Sequence, residues 1–396
     1  MEVLYISMVK PYKNVPNGGG QTFYYYINAL SKCEDINITL ISKMLDNEDG
    51  NSDIKGIKFV PIYNKKLSLH HPITMVTDIF SKVNPYNKRG TTLRKSIYSQ
   101  IEEALKNIES EPDVVILEFT QMLLMIDIVK KYFPKTRIFA SEHDVSFLRC
   151  KREYENETNV FKKIYRKILF KTMLKNEVKA LKKCDLIMPH NEKDKQLLVD
   201  AGIKEDKIFT LIPNYKICKV HRSNITKDIL FYGAMNRREN YESAIWFAQE
   251  VMPLFNDKEI RFIIAGANPT EELKKLESQN IVITGFVEDI SKYFESCICM
   301  VAPLISGAGI KIKVIEAMAA GVPVLTNDIG IEGIPAINEM EYFHCSNPND
   351  YVEIIEKMIC KEIDIEMISS NAMKIVDKFN LQNSFNDYYK HIKNMF

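Results

Sequence analysis

The segment from Ser306 to Gly330, SGAGIKIKVIEAMAAGVPVLTNDIG, constrains the fold more than any other part of the chain. A glycine turn leads into Ile310–Ala320, which has strong helix formers and no interior breaker. Gly321 follows, where the end of a helix favours glycine. Val322–Leu325 is short and apolar, as buried parallel strands are. The segment therefore predicts a helix and then a strand of an α/β sheet, with the amino end of the helix open to a ligand.

The amino end of this helix has the chemistry of a phosphate site. Its unpaired amides and the positive end of the helix dipole favour an anion, and Lys311 and Lys313 add positive charge. Glu316 follows one turn after Lys313, so its carboxylate can face the same side and accept hydrogen bonds from a ribose diol. A Gly-x-Gly turn before a helix is also common as an ordinary turn. The ordered set of glycines, lysines and glutamate favours a nucleotide-sugar site.

The sequence GAGIKIKVIEAMAAGVPVL, together with the upstream ITGFVEDI, resembles the donor-binding half of the GT-B glycosyltransferases of family 4. The resemblance extends over most of the chain and is strong in its C-terminal half. It implies an α/β fold of two facing Rossmann-like domains with a central cleft, and strands that alternate with helices agree with parallel sheets. We therefore predict an N-terminal acceptor domain at residues 1–217, a nucleotide-sugar donor domain at 218–379, and a C-terminal helix at 380–396 that crosses back onto the first domain.

The resemblance also implies roles for individual residues. His143 and Asp144 follow a predicted strand and fall where the family contacts the transferred sugar, so they are the predicted catalytic residues; a histidine that only caps the next helix is the alternative. The nucleobase is expected against Gly285, Phe286 and Val287, and the ribose against Glu316. The predicted donor phosphate-binding residues are Gly19, Gly20, Gly309, Ile310, Lys311, Ile312, Lys313, Arg237 and Arg238.

The chain departs from the family pattern in two places. Ala308 stands where the family usually has an acidic residue that contacts the donor sugar. The usual positions of a basic pair after the first strand of the donor domain fall at Ala234 and Asn240. We expect diphosphate binding to be intact and sugar recognition to differ from the commonest pattern.

The resemblance implies the activity of a retaining, hexosyltransferase-type glycosyltransferase. Its partners would be a nucleotide-diphosphate sugar and a glycan or lipid-linked acceptor. The charge of the departing diphosphate needs stabilisation, which lysines and helix amides supply, so we predict metal independence and no cofactor beyond the donor. Two alternatives stay open: a GT-B nucleotide-sugar epimerase using the cluster Glu142, His143 and Asp144, and a non-catalytic binding subunit, which Ala308 suggests. An NAD-dependent oxidoreductase is disfavoured because GAGIKIK lacks a third glycine.

Composition limits the other possibilities. The chain has 396 residues, a formal net charge of +1 and 8 scattered cysteines. The length suggests two domains, the charge gives no case for a nucleic acid partner, and the cysteines fit a reducing cytoplasm. The N-terminus reads as a strand and not as a signal peptide, and no apolar run is long enough to span a bilayer.

Several elements are predicted from periodicity. Val3–Val9 and Ile208–Pro213 read as strands, and a helix is expected from Gln21 after a glycine loop. Residues 64–94 read as an irregular insertion of the kind that carries acceptor specificity, and residues 348–378 read as helical. Lys151–Lys183 reads as one long basic helical region. Such a helix can lie on an anionic membrane surface as a peripheral contact, or it can be an ordinary solvated helix that packs on its own domain.

Overall fold

The structure is a computed structural model, and it describes residues 1–13, 15, 18–44, 54–63, 95–213, 220–307, 309–376 and 381–395. Its contacts divide the chain into a first unit, Met1–Asn214 with Gln382–Phe396, and a second unit, Tyr215–Leu381. The predicted domain boundary was 217/218. The predicted insertion at residues 64–94 and the departure at Ala308 lie outside the described residues.

The described part of the first unit is built on one parallel sheet. Its strands are β1 (Glu2–Ser7), β2 (Asn37–Met44), β3 (Ile57–Tyr63), β4 (Val114–Glu118), β5 (Arg137–Glu142) and β6 (Leu186–Pro189). They lie in the order β3-β2-β1-β4-β5-β6. Leu4 and Ile6 of β1 enter one core cluster, whereas Val3 and Tyr5 enter another. Both faces of the sheet are therefore buried, as expected for a parallel sheet between layers of helices.

Helices follow most of these strands. They are α1 (Gly18–Leu30), α2 (Lys95–Lys106), α3 (Ile126–Tyr132), α4 (Ser146–Glu155), α5 (Val160–Leu181) and α6 (Glu192–Asp200), with 3₁₀ turns at Thr120–Met125 and Glu205–Lys207. The first strand ends at Ser7, two residues before the predicted end, because the Ser7 hydroxyl accepts the amide of Val9 at 3.0 Å and turns the chain.

The three glycines Gly18, Gly19 and Gly20 were predicted as a loop before α1, but they form the first turn of that helix. The helix begins at Gly18, three residues before Gln21. First-turn amides need no partner within the helix, so glycine is tolerated there. A Cβ on Gly19 would lie 3.0 Å from both His143 Nδ1 and Phe119 Cε1. Glycine at this position therefore allows the helix to approach two rings closely.

The prediction of one long helix over 151–183 is wrong, because the chain breaks between α4 and α5. The Asn159 side chain accepts the amide of Lys162 at 3.1 Å and caps α5. Asparagine competes with backbone hydrogen bonding inside a helix and favours the N-cap position.

The predicted strand at Ile208–Pro213 is a single bridge and an extended segment beside β6. The amides of Phe209 and Leu211 donate to Ile187 and Pro189 at 2.9 and 2.8 Å. Pro189 has no amide to return a bond, so the ladder stays one-sided at this point.

The second unit has its own parallel sheet in the described residues. Its strands are β7 (Asp228–Tyr232), β8 (Arg261–Ala265), β9 (Ile281–Gly285), β10 (Cys299–Ala302), β11 (Val324–Thr326) and β12 (Phe343–His344). Their order is β12-β11-β10-β7-β8-β9. The helices are α7 (Arg238–Trp246, continued by a π-helical turn at Phe247–Val251 and a 3₁₀ turn at Met252–Leu254), α8 (Glu271–Lys274), α9 (Ser291–Ser296), α10 (Ile312–Ala319), α11 (Pro348–Ile359) and α12 (Ile365–Val376).

The predicted helical run 348–378 is therefore two helices. Lys361 adopts a left-handed φ of 57° after α11. Its amide donates to Met358 at 3.1 Å, and that of Glu362 donates to Lys357 at 2.8 Å. These two bonds close a helix end in the usual C-terminal arrangement, with lysine where glycine is more common, so the periodicity gave no sign of the break.

The last helix, α13 (Leu381–Lys393), belongs to the first unit. Tyr388 packs edge-on against Tyr26 of α1 with 5.6 Å between ring centroids, and the Tyr26 and Ser384 hydroxyls lie 2.7 Å apart. Lys393 pairs with Asp35. Among the described helices, none combines the length and apolar character that crossing a membrane requires.

Candidate functional site

The amino end of α10 presents backbone amides at the edge of the second sheet. The N-cap residue Lys311 makes no capping bond with its side chain. Among the described residues, no group accepts a hydrogen bond from the amides of Ile312 or Lys313. Gly309, with φ 72°, turns the chain into the helix just after Gly307, with φ 131°. The predicted phosphate-binding amides thus point away from the helix with the positive dipole end behind them.

The Lys313 ammonium lies at the carboxyl end of β7. Its Nζ is 2.6 Å from Asn240 Oδ1 and 4.5 Å from the centre of the Phe231 ring. A Cβ on Gly233 would lie 3.1 Å from Nζ, so glycine leaves room for this side chain. Burial, together with the positive charge of Arg237, lowers the pKa of Lys313 to about 7. An anion beside this ammonium would offset the cost of burying its charge.

Glu316 is held by the same strand. The Tyr232 hydroxyl lies 2.8 Å from Glu316 Oε2 and 3.1 Å from the Lys313 carbonyl oxygen. Tyr232 is the last residue of β7. Lys313, Glu316 and the amides of α10 therefore lie around one strand end, together with Tyr232, which the sequence analysis did not single out.

The other predicted cations are engaged with neighbouring groups. Lys311 donates to the Gly309 carbonyl and lies 3.7 Å from the buried carboxylate of Glu332. Lys311 is thus tied to the turn before α10. The exposed Arg237 and Arg238 form ion pairs of 2.5 and 2.6 Å with Glu239 and Glu242, respectively. The positive charges of Arg237 and Lys311 lower the pKa of Lys313.

The predicted nucleobase residues lie at the end of β9. Gly285 closes the strand with φ 69°, and a Cβ there would meet nothing within 4 Å. The Phe286 side chain is 76% exposed, whereas Val287 packs partly on the core of the second unit. An aromatic face accessible at a strand end can stack on a base.

In the first unit, His143 lies in a tight cluster after β5. Its Nε2 is 2.5 Å from Glu118 Oε1, and its ring stacks on Phe119 with 4.1 Å between centroids. Burial lowers the pKa of the His143 imidazole below its usual range and raises that of Glu118 to about 7. The His190 ring lies 4.4 Å away on a tilted plane. Gly19 faces this cluster from the first turn of α1.

Glu142 and Asp144, which flank His143 in the sequence, lie outside the cluster around its side chain. Glu142 is buried and accepts the Thr120 hydroxyl at 2.9 Å, and its Oε1 has no partner among the described residues. The Asp144 side chain is exposed, while its carbonyl accepts the same hydroxyl at 2.8 Å. Gly20 is buried in α1. The strand β5 ends at Glu142, and His143 and Asp144 lie in the bend after it, so this run of three polar residues does not make one cluster.

Glu118, Phe119, His190 and Tyr232 were not predicted as site residues. Each stands at, or one residue after, the carboxyl end of a parallel strand. That placement is the available sequence signal, because ligands of α/β sheets gather at this edge. In the described ranges, no group of three or more His, Cys, Asp or Glu side chains is arranged to hold a metal ion, and metal independence stays a prediction.

Comparison with known proteins gives the family and the fold that the chain resembles. Residues 226–361 match the family described as glycosyl transferases group 1. An uncharacterized 44.6 kDa protein in the cps region of Klebsiella pneumoniae is 26% identical over 205 residues, which are 48% of this chain and 51% of that protein. The chain thus spans about half the length of the curated relative it matches.

Solved structures resemble the whole chain in fold. HepE of Anabaena in complex with UDP has a TM-score of 0.66 and 12% identity, with 100% of both chains covered. Sucrose-phosphate synthase of Thermosynechococcus elongatus has a TM-score of 0.74 and 14% identity, with 100% of this chain and 99% of that one covered. Residues 226–361 therefore match the glycosyl transferases group 1 family, and the chain has the GT-B fold that its sequence resemblance implied.

Proposed function

We propose that the protein is a retaining, hexosyltransferase-type glycosyltransferase that moves a sugar from a nucleotide-diphosphate donor to a glycan or lipid-linked acceptor, without a metal ion. The observation that carries this proposal is the arrangement at β7 and α10. There Lys313, Glu316 and helix amides that have no acceptor among the described residues meet within the matched residues 226–361. Retention of the anomeric configuration and the sugar contact of His143 are implied by the family resemblance.

The reaction places negative charge on a departing diphosphate and positive charge on the sugar ring. The amides of Ile312 and Lys313 and the Lys313 ammonium would stabilise the diphosphate in a fixed arrangement, which needs no reorganisation during the reaction. Glu316 would accept a hydrogen bond from a ribose hydroxyl, with its position set by Tyr232. Lysine and helix amides supply the positive potential that a metal ion supplies in other transferases.

Uridine nucleotides are the first donors to test, because HepE, which shares the fold, is known in complex with UDP. The Klebsiella relative of the cps region supports polysaccharide biosynthesis as the process. Phe286 would stack on the base, a contact that tolerates several bases and leaves room for GDP or ADP as donors.

The test is a panel of UDP, GDP and ADP in thermal melts and calorimetric titration, followed by release of sugar from the matching nucleotide sugars without acceptor. We expect one nucleotide to bind and to raise the melting temperature, and Glu316→Gln and Lys313→Met to reduce binding. Lys357→Met is the matched control, since that lysine pairs with Glu353 on the exposed face of α11. If none of the nucleotides binds, the proposed function is wrong; if one binds and no sugar moves across a broad acceptor panel, a binding subunit is the better description.

The start of α5 supports a peripheral contact with an anionic membrane surface as part of this proposal. Val160, Phe161 and Ile164 are 67%, 84% and 56% exposed. Further along, Phe170, Met173, Leu174 and Val178 pack against the core of the first unit. The apolar side chains of α5 are therefore exposed at its start and pack on the first unit in its second half.

Lysines flank the exposed apolar turn. Lys162, Lys167 and Lys171 are exposed along the helix. Apolar side chains within a basic surface bind anionic bilayers, because lipid burial and charge attraction act together. A lipid-linked acceptor would be met at such a surface.

Vesicle sedimentation tests this contact with the full chain. We expect binding to vesicles containing phosphatidylglycerol, weaker binding to phosphatidylcholine alone, and loss of binding in Phe161→Ser. Ile337→Ser is the matched control, since that residue is 59% exposed in the second unit. Equal sedimentation of wild type and Phe161→Ser would exclude this surface.

A further inference from the structure

The His143 ring is fixed by two consecutive residues at the carboxyl end of β4. We propose that Glu118 and Phe119 are positioning residues that hold His143 in its Nε2–H tautomer and in one ring plane, so that Nδ1 is the atom that meets the transferred sugar. The chemistry of this inference rests on the proposed function, whereas the geometry stands on the first unit alone.

Glu118 determines which nitrogen carries the proton. Its Oε1 lies 2.5 Å from His143 Nε2 and also accepts the Ser141 hydroxyl at 2.9 Å. In the inferred arrangement Oε1 is unprotonated and accepts both this hydroxyl and the Nε2–H, and the Ser141 oxygen also lies 3.3 Å from Nε2. A neutral imidazole has one N–H, and the lone pair is then on Nδ1. Burial raises the pKa of Glu118 to about 7, so its role needs an acceptor oxygen and not a full charge.

Phe119 determines the plane of the ring. It has φ 73° and ψ 142°, a conformation that residues with a side chain rarely adopt. This backbone carries a ring that stacks on His143 with an interplanar angle of 20°. A strained residue persists where surrounding contacts impose it, and such residues cluster at functional sites.

His190 restricts His143 as well. The His190 ring centre is 4.4 Å from that of His143, and its Nδ1 donates to the Leu211 carbonyl at 2.7 Å. The His190 side chain is itself buried and neutral, because burial lowers its pKa well below the usual range. Contacts with both aromatic neighbours leave the His143 ring little freedom to rotate.

The Nδ1 atom remains for a ligand. No described residue makes a hydrogen bond to it, and it is not among the fully buried polar atoms without partners. It faces Gly19, where a Cβ would lie 3.0 Å away. With its lone pair there, Nδ1 accepts a hydrogen bond from a hydroxyl group, which is the chemistry of a sugar.

The test combines nitrogen NMR of ¹⁵N-histidine-labelled protein with kinetics. We expect His143 of the wild type to show the Nε2–H tautomer. Glu118→Gln keeps an acceptor oxygen, so it should keep this tautomer and activity within a few-fold. Glu118→Leu should lose the tautomer preference and lower kcat roughly 10- to 100-fold with little change in the donor KM. Glu103→Leu, at an exposed glutamate of α2, is the control for the substitution itself.

Phe119→Leu provides the second arm, since it removes the stack and leaves the Glu118 contact. It should keep the Nε2–H tautomer and still lower kcat. An Nδ1–H or doubly protonated His143 in the wild type would overturn the inference, and so would Glu118→Leu with unchanged tautomer and kcat. If the wild type transfers no sugar, the proposed function fails, and the tautomer readings alone decide the positioning by Glu118.

Discussion

Lys313 of α10 donates a hydrogen bond to Asn240 of α7, with 2.6 Å between Nζ and Oδ1. The family resemblance implies that Asn240 stands at one of two positions that commonly carry a basic side chain. Lys313 therefore brings a positive charge to this point of the second unit, and it does so from α10 and not from α7, which carries Asn240. This relocation makes the loss of the basic pair compatible with diphosphate binding.

Replacing this lysine separates binding from stability. Lys313→Met should weaken nucleoside diphosphate binding by roughly 10- to 100-fold, because a hydrogen bond to a charged group contributes about 1.5–3 kcal/mol. The melting temperature without nucleotide should stay the same or rise, because methionine places no charge beside the Phe231 ring. Calorimetric titration and thermal melts measure the two effects, with Lys357→Met as the control. A variant that binds as tightly as the wild type would remove Lys313 from the site.

The lowered pKa of Lys313 predicts a pH dependence of donor binding. Its pKa of about 7 in the free protein means that the ammonium loses its proton as the pH rises above neutrality. Affinity for a nucleotide sugar should therefore fall between about pH 7 and pH 9, with a slope of at most tenfold per unit. A nucleotide sugar is the right probe, because its pyrophosphate diester does not titrate in this range. Lys313→Met should bind weakly with a flat profile.

The lowered pKa of Lys313 also affects stability, which rises with pH while the affinity for the donor falls. Between about pH 7 and pH 10 the unfolded chain keeps a proton on this lysine that the folded chain has lost, so the free energy of unfolding contributed by Lys313 rises with pH. The difference in stability between wild type and Lys313→Met should therefore shift towards the wild type as the pH increases. Denaturant unfolding at several pH values measures it, and a pH-independent difference would contradict the lowered pKa.

Glu316 should recognise the ribose and not the phosphate. Glu316→Gln is expected to reduce the preference for UDP over its 2′- and 3′-deoxy analogues, because a hydrogen bond to a charged carboxylate becomes a neutral one. Tyr232→Phe should lower affinity by only about 5-fold, since it removes the group that positions Glu316 at 2.8 Å. Titration of each variant with all three nucleotides gives the comparison. An unchanged ribose preference in Glu316→Gln would leave that carboxylate a structural role.

The helix and turn of the proposed donor site could be predicted because their signals are local. Gly309, the helix formers after it and Glu316 lie within one turn and one helix, where spacing in sequence fixes spacing on a surface. The family resemblance that implied the fold also rests on this local segment. Sequence spacing does not show which lysine reaches the strand end, however, and Lys311 is tied to the turn by Glu332, far along the chain.

The cluster around His143 could be predicted only in part. Its members come from β4, β5, β6 and α1, and their meeting depends on strand order and on the φ of 73° at Phe119. Neither the strand order nor this backbone angle can be predicted from a local sequence pattern. The breaks at Asn159 and Lys361 were missed because helical periodicity continues on both sides of them, whereas capping geometry starts α5 after Asn159 and ends α11 before Lys361.

Glu142 provides a stability test that is independent of function. Burial and the nearby charge of Glu177 raise the pKa of Glu142 well above its usual range, and its Oε1 has no partner among the described residues. A carboxyl group with a raised pKa holds a proton in the folded state that the unfolded chain releases, so stability falls as the pH rises above about 4.5.

Glutamine imitates the protonated acid and can still accept the Thr120 hydroxyl. Glu142→Gln should therefore match the wild type near pH 4.5 and be more stable at pH 8 by about 1 kcal/mol or more, which is roughly 2–4 °C in Tm. Glu103→Gln, on the surface of α2, should change neither value. A Glu142→Gln protein that melts below the wild type at pH 8 would contradict a protonated Glu142 in the folded state.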